Sequence, residues 1–85
     1  MSTWNFRIGT KLYRYKNMKV DPERLFSVIE VYYDDDNNPV SYGGKNLLKD
    51  IESIKGIKWA IKHIPEAFEK PIIDMDNFPK EWKDE

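Results

Sequence analysis

The nine residues 25–33, Leu-Phe-Ser-Val-Ile-Glu-Val-Tyr-Tyr, constrain the fold of this chain more than any other stretch. They are dominated by β-branched and aromatic side chains, which suit a pleated, buried surface better than a helix. The run Asp-Asp-Asp-Asn-Asn-Pro at 34–39 then supplies turn chemistry, and apolar residues resume at Val40 and Tyr42. The stretch therefore predicts a β-hairpin whose first strand lies in the middle of a small sheet.

Residues 3–15 are predicted to form another strand, because apolar and polar side chains alternate along most of their length. The even positions, from Trp4 to Leu12, are expected to face the core. Pro22 ends the polar connection that leads into the central strand, and sequential strands usually lie side by side. Strands at 3–15, 25–33 and 39–43 should therefore form a three-stranded antiparallel β-meander.

A helix over residues 47–69 is predicted from apolar side chains that recur at spacings of three and four. Asn46 is the expected N-cap. Pro65 predicts a kink within a continuous helix, because proline removes one backbone hydrogen bond and crowds the preceding turn. The apolar stripe is expected to cover one face of the sheet, and its members are Ile51, Ile54, Ile57, Ile61, Ile64 and Phe68.

The predicted fold class is α+β, with a βββα domain at residues 1–70 in which the helix covers one sheet face. Residues 71–85 are predicted to be a short acidic tail that carries two large aromatic residues and docks on the domain. The predicted core consists of Trp4, Phe6, Ile8, Val31, Ile54, Ile57, Ile61, Ile64 and Phe68.

Composition excludes several classes of protein. The 85 residues include no cysteine, so disulfides, thiolate metal sites and a cysteine nucleophile are excluded. The formal charge of −1 provides no overall attraction to nucleic acid or to an anionic membrane. No apolar run approaches the ~20 residues that span a bilayer. We therefore expect a soluble, cytoplasmic protein without membrane contact.

The sequence offers little catalytic or metal-binding chemistry. Residues 34–38 have the D-x-D-x-N spacing of a calcium loop, but Pro39 and Lys45 occupy the positions where that loop needs Gly and Glu. His63 is the only histidine, and its neighbours on a helix are those of a surface position. We expect no catalytic residue, no metal and no cofactor, and predict that the protein is not an enzyme.

Trp59 is the residue least expected on a solvated helix face, because it lies nearly opposite the isoleucine stripe. Three explanations are open at this point. The aromatic tail folds over it, a protein partner or a second copy buries it, or it lies along the stems of neighbouring lysines. The candidate partner-binding residues are accordingly Trp59, Lys55, Lys62, His63, Phe78 and Trp82.

Two functions from different classes follow from these residues. The first is a small non-enzymatic binding or regulatory accessory protein that acts through protein–protein contacts, with an unidentified protein partner or a second copy of itself. The alternative is a nucleic-acid-binding βββα module that uses the outer sheet face and the line of Lys55, Lys58 and Lys62.

Three short motifs give the chain a resemblance to other proteins. They are W-N-F-R at residues 4–7, E-V-Y-Y-D at 30–34 before a polar turn, and K-P at 70–71 after the helix. The chain resembles a family of short uncharacterised bacterial and mobile-element proteins that begin W-N-[FY]-R, carry an E-V-Y-Y-D turn and end their helix in K-P. The Gly43–Gly44 pair and Pro65 depart from that pattern. The resemblance implies a bacterial or phage origin and assigns no function and no site residue.

Overall fold

The computed structural model of the chain describes residues 3–16, 19–44 and 51–83. It confirms the predicted α+β class. None of the helices within these ranges has the length and apolar character needed to cross a membrane. The elements follow in the order β1 (Thr3–Tyr13), β2 (Glu23–Tyr33), β3 (Pro39–Gly43), α1 (Ile54–His63), a 3₁₀ helix (Ile64–Glu69) and β4 (Ile73–Asp74).

The four strands form one mixed sheet in the order β3-β2-β1-β4. β1 pairs antiparallel with β2 along its whole length, from Thr3 opposite Tyr33 to Tyr13 opposite Glu23, and β2 pairs antiparallel with β3. β4 adds to the free edge of β1 in parallel. The predicted three-stranded antiparallel sheet is therefore wrong as a description of the whole sheet. Without β4, the second edge of β1 would be a row of unpaired backbone groups. The segment that follows the helices pairs with part of this edge.

The turn between β2 and β3 is held by its own side chains. A carboxylate oxygen of Asp34 accepts hydrogen bonds from the backbone N–H groups of Asp36 and Asn38, each at 2.9 Å. Asn37 adopts a positive φ of 64°, which asparagine tolerates better than most residues. The hairpin predicted from residues 25–42 is confirmed.

α1 is shorter than predicted and begins at a different residue. Ser53 is the N-cap, and its hydroxyl accepts a hydrogen bond from the backbone N–H of Gly56 at 3.0 Å. The predicted cap Asn46 and the predicted helical residues 47–50 lie outside the described residues. Pro65 stands at the start of the 3₁₀ helix that follows His63, so the predicted kinked α-helix becomes a change of helix type.

The core lies on one face of the sheet, which we call the inner face. It is formed by the odd-numbered residues of β1 and β2, and Ile29, Val31 and Tyr33 are buried there with Ile73 of β4. Tyr42, Met75 and Phe78 pack against this cluster. Gly9 faces Met75, and a Cβ at that position would lie only 2.7 Å from its sulfur. The glycine thus permits the C-terminal segment to approach β1 closely.

The C-terminal segment, residues 71–83, is tied to the edge of the sheet by backbone hydrogen bonds. Met75 N–H donates to the Thr10 carbonyl at 2.9 Å. After a turn that includes a cis Phe78–Pro79 bond, the chain returns alongside β4, where Trp82 N–H donates to the Ile72 carbonyl at 2.7 Å. Ile73, Met75 and Phe78 of this segment therefore lie on the inner face.

The predicted core is correct for only part of its members. Phe6 and Val31 are buried, and Ile8, Ile57 and Ile64 are half-buried. The prediction is wrong for four residues that the structure leaves exposed: Trp4, Ile54, Ile61 and Phe68. The reason is the orientation of the helix, which does not place its isoleucine stripe on the sheet.

Candidate functional site

Trp59 attaches α1 to the outer face, the face formed by the even-numbered residues of β1 and β2. Its ring centroid lies 6.0 Å from that of Trp4 and 6.2 Å from that of Phe6. Trp4 and Phe6 meet edge to face at 5.2 Å. Trp59 contacts β1 aromatics, whereas the tail aromatics Phe78 and Trp82 contact other residues, so the explanation by the tail is wrong. Burial by a partner or a second copy stays a prediction. Trp59 is an anchor between helix and sheet that still exposes about half of its surface.

Small residues complete the sheet-facing side of the helical segment. Ala60 of α1 and Ala67 of the 3₁₀ helix are buried, and the 3₁₀ helix packs against β1. Alanine brings a helix close to a neighbouring surface because it has no side chain beyond Cβ. The helical segment therefore rests on the sheet through its tryptophan and alanines, whereas Ile54 and Ile61 point outward.

Three larger residues form an exposed apolar surface, which we call the outer stripe and define as Ile54, Ile61 and Phe68. Ile54, Ile61 and Phe68 expose 69%, 57% and 76% of their surface. The change from α to 3₁₀ winding contributes to this exposure. Residues three apart eclipse each other in a 3₁₀ helix, so Ala67 follows Ile64 toward the sheet and Phe68 turns outward.

Phe68 also forms one wall of an apolar groove on the outer face. The groove has a volume of about 500 Å³. Its lining includes Ile8 of β1, Phe26 and Val28 of β2, and Ile72, with Lys70 at the rim. Phe26 is itself exposed. The outer stripe and this groove therefore share Phe68 and form one apolar region.

The lysines and the histidine of α1 lie around this region. Lys55, Lys58 and Lys62 are exposed, and none of the ion pairs between described residues includes them. His63 stacks on Trp59 with ring centroids 4.4 Å apart, and its Nδ1 lies 2.9 Å from a Glu66 carboxylate oxygen. The structure thus brings together Trp59 and His63 of the candidate partner-binding set, with Lys55 and Lys62 on the same helix.

Phe78 and Trp82 lie elsewhere, so the six candidates do not form one site. Phe78 packs on Tyr42 at 5.1 Å on the inner face. Trp82 meets Phe26 edge to face at 5.6 Å, and the Arg24 guanidinium lies 5.2 Å from its ring centroid. Both aromatics are half-buried against the sheet, where they hold the C-terminal segment in place.

The inner face offers little accessible basic surface. Arg7 is buried, and its guanidinium donates to the Tyr33 hydroxyl at 2.9 Å and to the Pro71 carbonyl at 2.7 Å. Its Nε has no hydrogen-bond partner. Lys11 lies 3.8 Å from a carboxylate oxygen of Asp76. Arg7 is therefore buried, and Lys11 is paired with the C-terminal segment.

Local hydrogen bonds shift the pKa values of the Asp74 carboxyl and the Tyr32 hydroxyl. The pKa of Asp74 lies below its ordinary value, chiefly because the Asn77 side-chain amide donates to it at 3.0 Å. The pKa of Tyr32 is raised, chiefly because its hydroxyl donates to the Glu30 carboxylate on the outer face. The first hydrogen bond holds the turn at residues 74–77, and the second joins two side chains of β2.

Comparison with known proteins adds no evidence about the role of this apolar region. Neither a protein-family model, nor a curated protein, nor a solved structure matches the chain. Within residues 3–16, 19–44 and 51–83, no group of three or more His, Asp or Glu side chains is arranged to hold a metal ion.

Sequence reasoning missed the residues that form the most exposed apolar region. Ile54, Ile61 and Phe68 were assigned to the core, and Phe26 was assigned to a buried strand. One pattern could have identified them: Gly56, Ala60 and Ala67 form a second stripe of small residues on α1 and the 3₁₀ helix, at spacings of four and seven. Such a stripe is the side that can approach a sheet most closely, so the isoleucines need not be the inward side.

Proposed function

We propose that this protein is a small non-enzymatic binding or accessory protein whose outer stripe holds an apolar helix of a protein partner. The observation that carries the proposal is the exposure of Ile54, Ile61 and Phe68 on one side of one helical segment. Isolated exposed apolar residues are common, whereas a contiguous apolar patch marks a binding surface in most soluble proteins.

The shape of the region supports a helix as the bound element. The outer stripe recurs every seven residues, at 54, 61 and 68, and seven residues are about two turns of a helix, the repeat at which one helix contacts another. The groove below Phe68 extends that surface onto β1 and β2. Binding of an amphipathic helix in such a groove is a recurring mode of protein recognition.

Partner residues that lie beside the outer stripe should be neutral or acidic. α1 carries Lys55, Lys58 and Lys62 and no acidic residue between Ile54 and His63. Charges at the rim of an interface influence association rate and partner choice more than total affinity. The lysines therefore favour an acidic helix over a basic one.

The test uses two positions of equal exposure. Ile61 and Val40 each expose 57% of their surface, but Val40 lies on the edge strand β3, away from the outer stripe. A photo-crosslinking amino acid is placed at position 61 or at position 40 in cells of the native host. We expect a specific crosslinked protein from position 61, and loss of that crosslink when Ile54→Asp is added.

The captured protein is then purified and titrated against Ile61→Asp and Val40→Asp. Since an unpaired charge at the centre of an interface costs 2 kcal/mol or more, Ile61→Asp should weaken binding by at least about thirtyfold. Val40→Asp should leave affinity unchanged. Equal binding to both variants would contradict the proposal.

Nucleic-acid binding is the second candidate, and the exposed lysines of α1 are the observation in its favour. In that case binding to a DNA or RNA duplex should weaken steeply between 50 and 200 mM salt, on the order of tenfold or more. Charge reversal at Lys58 and Lys62 should reduce both the affinity and the salt dependence. Absence of binding at low salt would eliminate this candidate.

A further inference from the structure

We infer that single-stranded nucleic acid binds the outer face beside α1, with its bases on exposed aromatic rings and its phosphates along the lysines of the helix. The rings are those of Trp4, Tyr32 and Trp59, and we call the surface that they form the aromatic platform. The inference rests on the nucleic-acid candidate above, and it adds the form of the nucleic acid and the residues that contact it. It does not require the protein partner of the outer stripe.

The three rings of the aromatic platform lie side by side at one end of the outer face. Trp4 of β1 stands directly opposite Tyr32 of β2 in the sheet, so both side chains project from the same face. The ring of Trp59 on α1 lies 6.0 Å from that of Trp4. Trp4 exposes 43% of its surface and Trp59 about half, and Tyr32 is half-buried. Part of each ring is therefore open to a ligand.

Exposed rings favour an unpaired strand over a duplex. In a duplex each base is stacked on its neighbours, so a protein reaches only the base edges and the backbone. An unpaired base presents its flat face, which stacks on an aromatic side chain whatever the sequence. The aromatic platform therefore suits a single strand and carries no strong sequence preference.

Lysines of α1 border the aromatic platform. Lys55 lies four residues before Trp59 and Lys62 three residues after it, which places both on the same side of the helix as the indole. Lys58 lies one turn before Lys62. All three lysines are exposed, and none of the ion pairs between described residues includes them. Their ammonium groups are therefore available to neutralise the phosphates of a bound strand.

The neighbouring carboxylates determine how the strand is oriented. Glu30 lies on the outer face, where its carboxylate accepts a hydrogen bond from the Tyr32 hydroxyl. Glu66 lies 2.9 Å from Nδ1 of His63. A phosphate over the sheet would be repelled by Glu30, whereas a phosphate along α1 is attracted by the lysines. The backbone should therefore follow α1, with the bases turned toward Trp4.

The number of lysines predicts a weak, salt-sensitive complex. Each phosphate that is neutralised on a single strand contributes about 0.7 to the slope of log affinity against log salt. Contact with all three lysines of α1 should therefore give a slope of about −2. Binding in the micromolar range at low salt should weaken by about a hundredfold between 20 and 200 mM salt.

The first experiment measures the binding of short labelled oligonucleotides to the full chain by fluorescence anisotropy. The probes are a single strand of mixed sequence, made as DNA and as RNA, and a DNA duplex of the same sequence. We expect both single strands to bind, because neither stacking nor phosphate contact depends on the 2′-hydroxyl. The duplex should bind at least about fivefold more weakly, since its bases cannot stack on the rings.

The second experiment tests the aromatic platform with two positions of equal exposure. Trp4→Leu should weaken binding of the single strand at least about fivefold, because the variant loses a stacking surface. Tyr13 also exposes 43% of its surface, but it lies at the other end of β1. Tyr13→Leu should therefore bind like the natural chain. Circular dichroism verifies that both variants are folded.

The third experiment tests the lysines and remains valid if Trp4→Leu does not fold. Lys62→Gln should weaken binding of the single strand and reduce the salt slope by about 0.7. Lys55→Gln should have the same effect. Lys80→Gln, which removes the same charge from an exposed position in the C-terminal segment, should change neither the affinity nor the slope.

The outcomes distinguish this inference from both functions proposed above. Absence of single-strand binding at about 20 mM salt, or binding that is unchanged in both Trp4→Leu and Lys62→Gln, overturns the inference. A duplex that binds as tightly as the single strand also overturns it, but leaves the nucleic-acid candidate standing. Ile54→Ala should leave single-strand binding unchanged, and a loss in this variant instead of in Trp4→Leu would contradict the aromatic platform. The crosslink at position 61 tests the protein partner separately.

Discussion

The two faces of the sheet differ in how completely they are covered, although both carry large apolar residues. On the inner face, Ile29 and Val31 are buried beneath the C-terminal segment, together with Ile73 of that segment. On the outer face, Phe26 remains exposed, as do Ile61 and Phe68 on the helical segment above it. The difference indicates that the inner face supplies most of the stability of a domain that is large enough for only one modest core. The outer apolar surface is left for binding.

The covering elements explain the difference. The C-terminal segment is extended and joins the edge of β1 through backbone hydrogen bonds, so it lies close to the sheet and leaves little space. The helical segment contacts the outer face through Trp59 and two alanines. A helix that rests on its small residues leaves its large ones without a partner inside the same chain.

The largest expected effect comes from changing one isoleucine to alanine on each face and comparing the two losses of stability. Ile73→Ala removes a side chain that is almost completely buried, and the cavity should lower the free energy of unfolding by about 2–5 kcal/mol. Ile54→Ala, on the outer stripe, should lower it by less than about 0.5 kcal/mol. Urea unfolding of both variants at low protein concentration measures the contrast. Equal losses would mean that the two faces contribute alike.

A smaller loss is expected at Arg7, which ties the inner face to the start of the C-terminal segment. Arg7→Ala leaves the Pro71 carbonyl and the Tyr33 hydroxyl without this donor and removes the packed stem. The free energy of unfolding should fall by about 2–3 kcal/mol. Arg14→Ala, at an exposed position just beyond β1, is the control and should be neutral. A neutral Arg7→Ala would show that the buried guanidinium does not hold the segment.

Trp59→Ala should weaken the outer face alone. The variant loses the ring contacts with Trp4 and Phe6, and we expect a loss of about 1–2 kcal/mol because half of the indole is already exposed. Amide hydrogen exchange should accelerate in α1 and remain slow in β2. Lys58→Ala, one residue away, is the matched control. Acceleration in β2 as well would show that the helix stabilises the inner core.

The smallest effect concerns pH and the turn at Asp74. Because the folded pKa of Asp74 lies below its ordinary value near 3.8, the ionised carboxylate stabilises the fold above that value. This contribution is lost as the pH falls through the lowered folded pKa. The thermal midpoint of the natural chain should therefore fall slightly further between pH 5 and pH 3 than that of Asp74→Asn. Parallel profiles would contradict this assignment.

The strands were predictable from the sequence because their residues act locally. The alternation in residues 3–13 and the turn chemistry of Asp34 and Asn37 specify a hairpin whatever covers it. The fourth strand was less accessible, since a two-residue strand such as Ile73–Asp74 has no periodicity to detect. The fold class was therefore predictable, and the mixed sheet was not.

The orientation of the helix was not predictable from its apolar stripe. A stripe at spacings of three and four indicates a contact surface, but it does not indicate whether that surface lies inside the chain or outside it. Trp59 opposite Ile61 was recognised as unusual, and the structure gives the reason, since tryptophan and alanine face the sheet. The candidate residues Phe78 and Trp82 were proposed because large aromatics in an acidic tail were expected to dock on the domain or bind a partner, and both lie in the packing of the C-terminal segment.

The unfolding free energy of Ile61→Asp, measured at low protein concentration, tests the central claim most directly. If the outer stripe lies outside the stabilising core, the variant should unfold within about 0.5 kcal/mol of the natural chain, as exposed substitutions do. If Ile61 were part of the core, burial of an unpaired carboxylate would cost several kcal/mol. A loss of 2 kcal/mol or more would contradict the account.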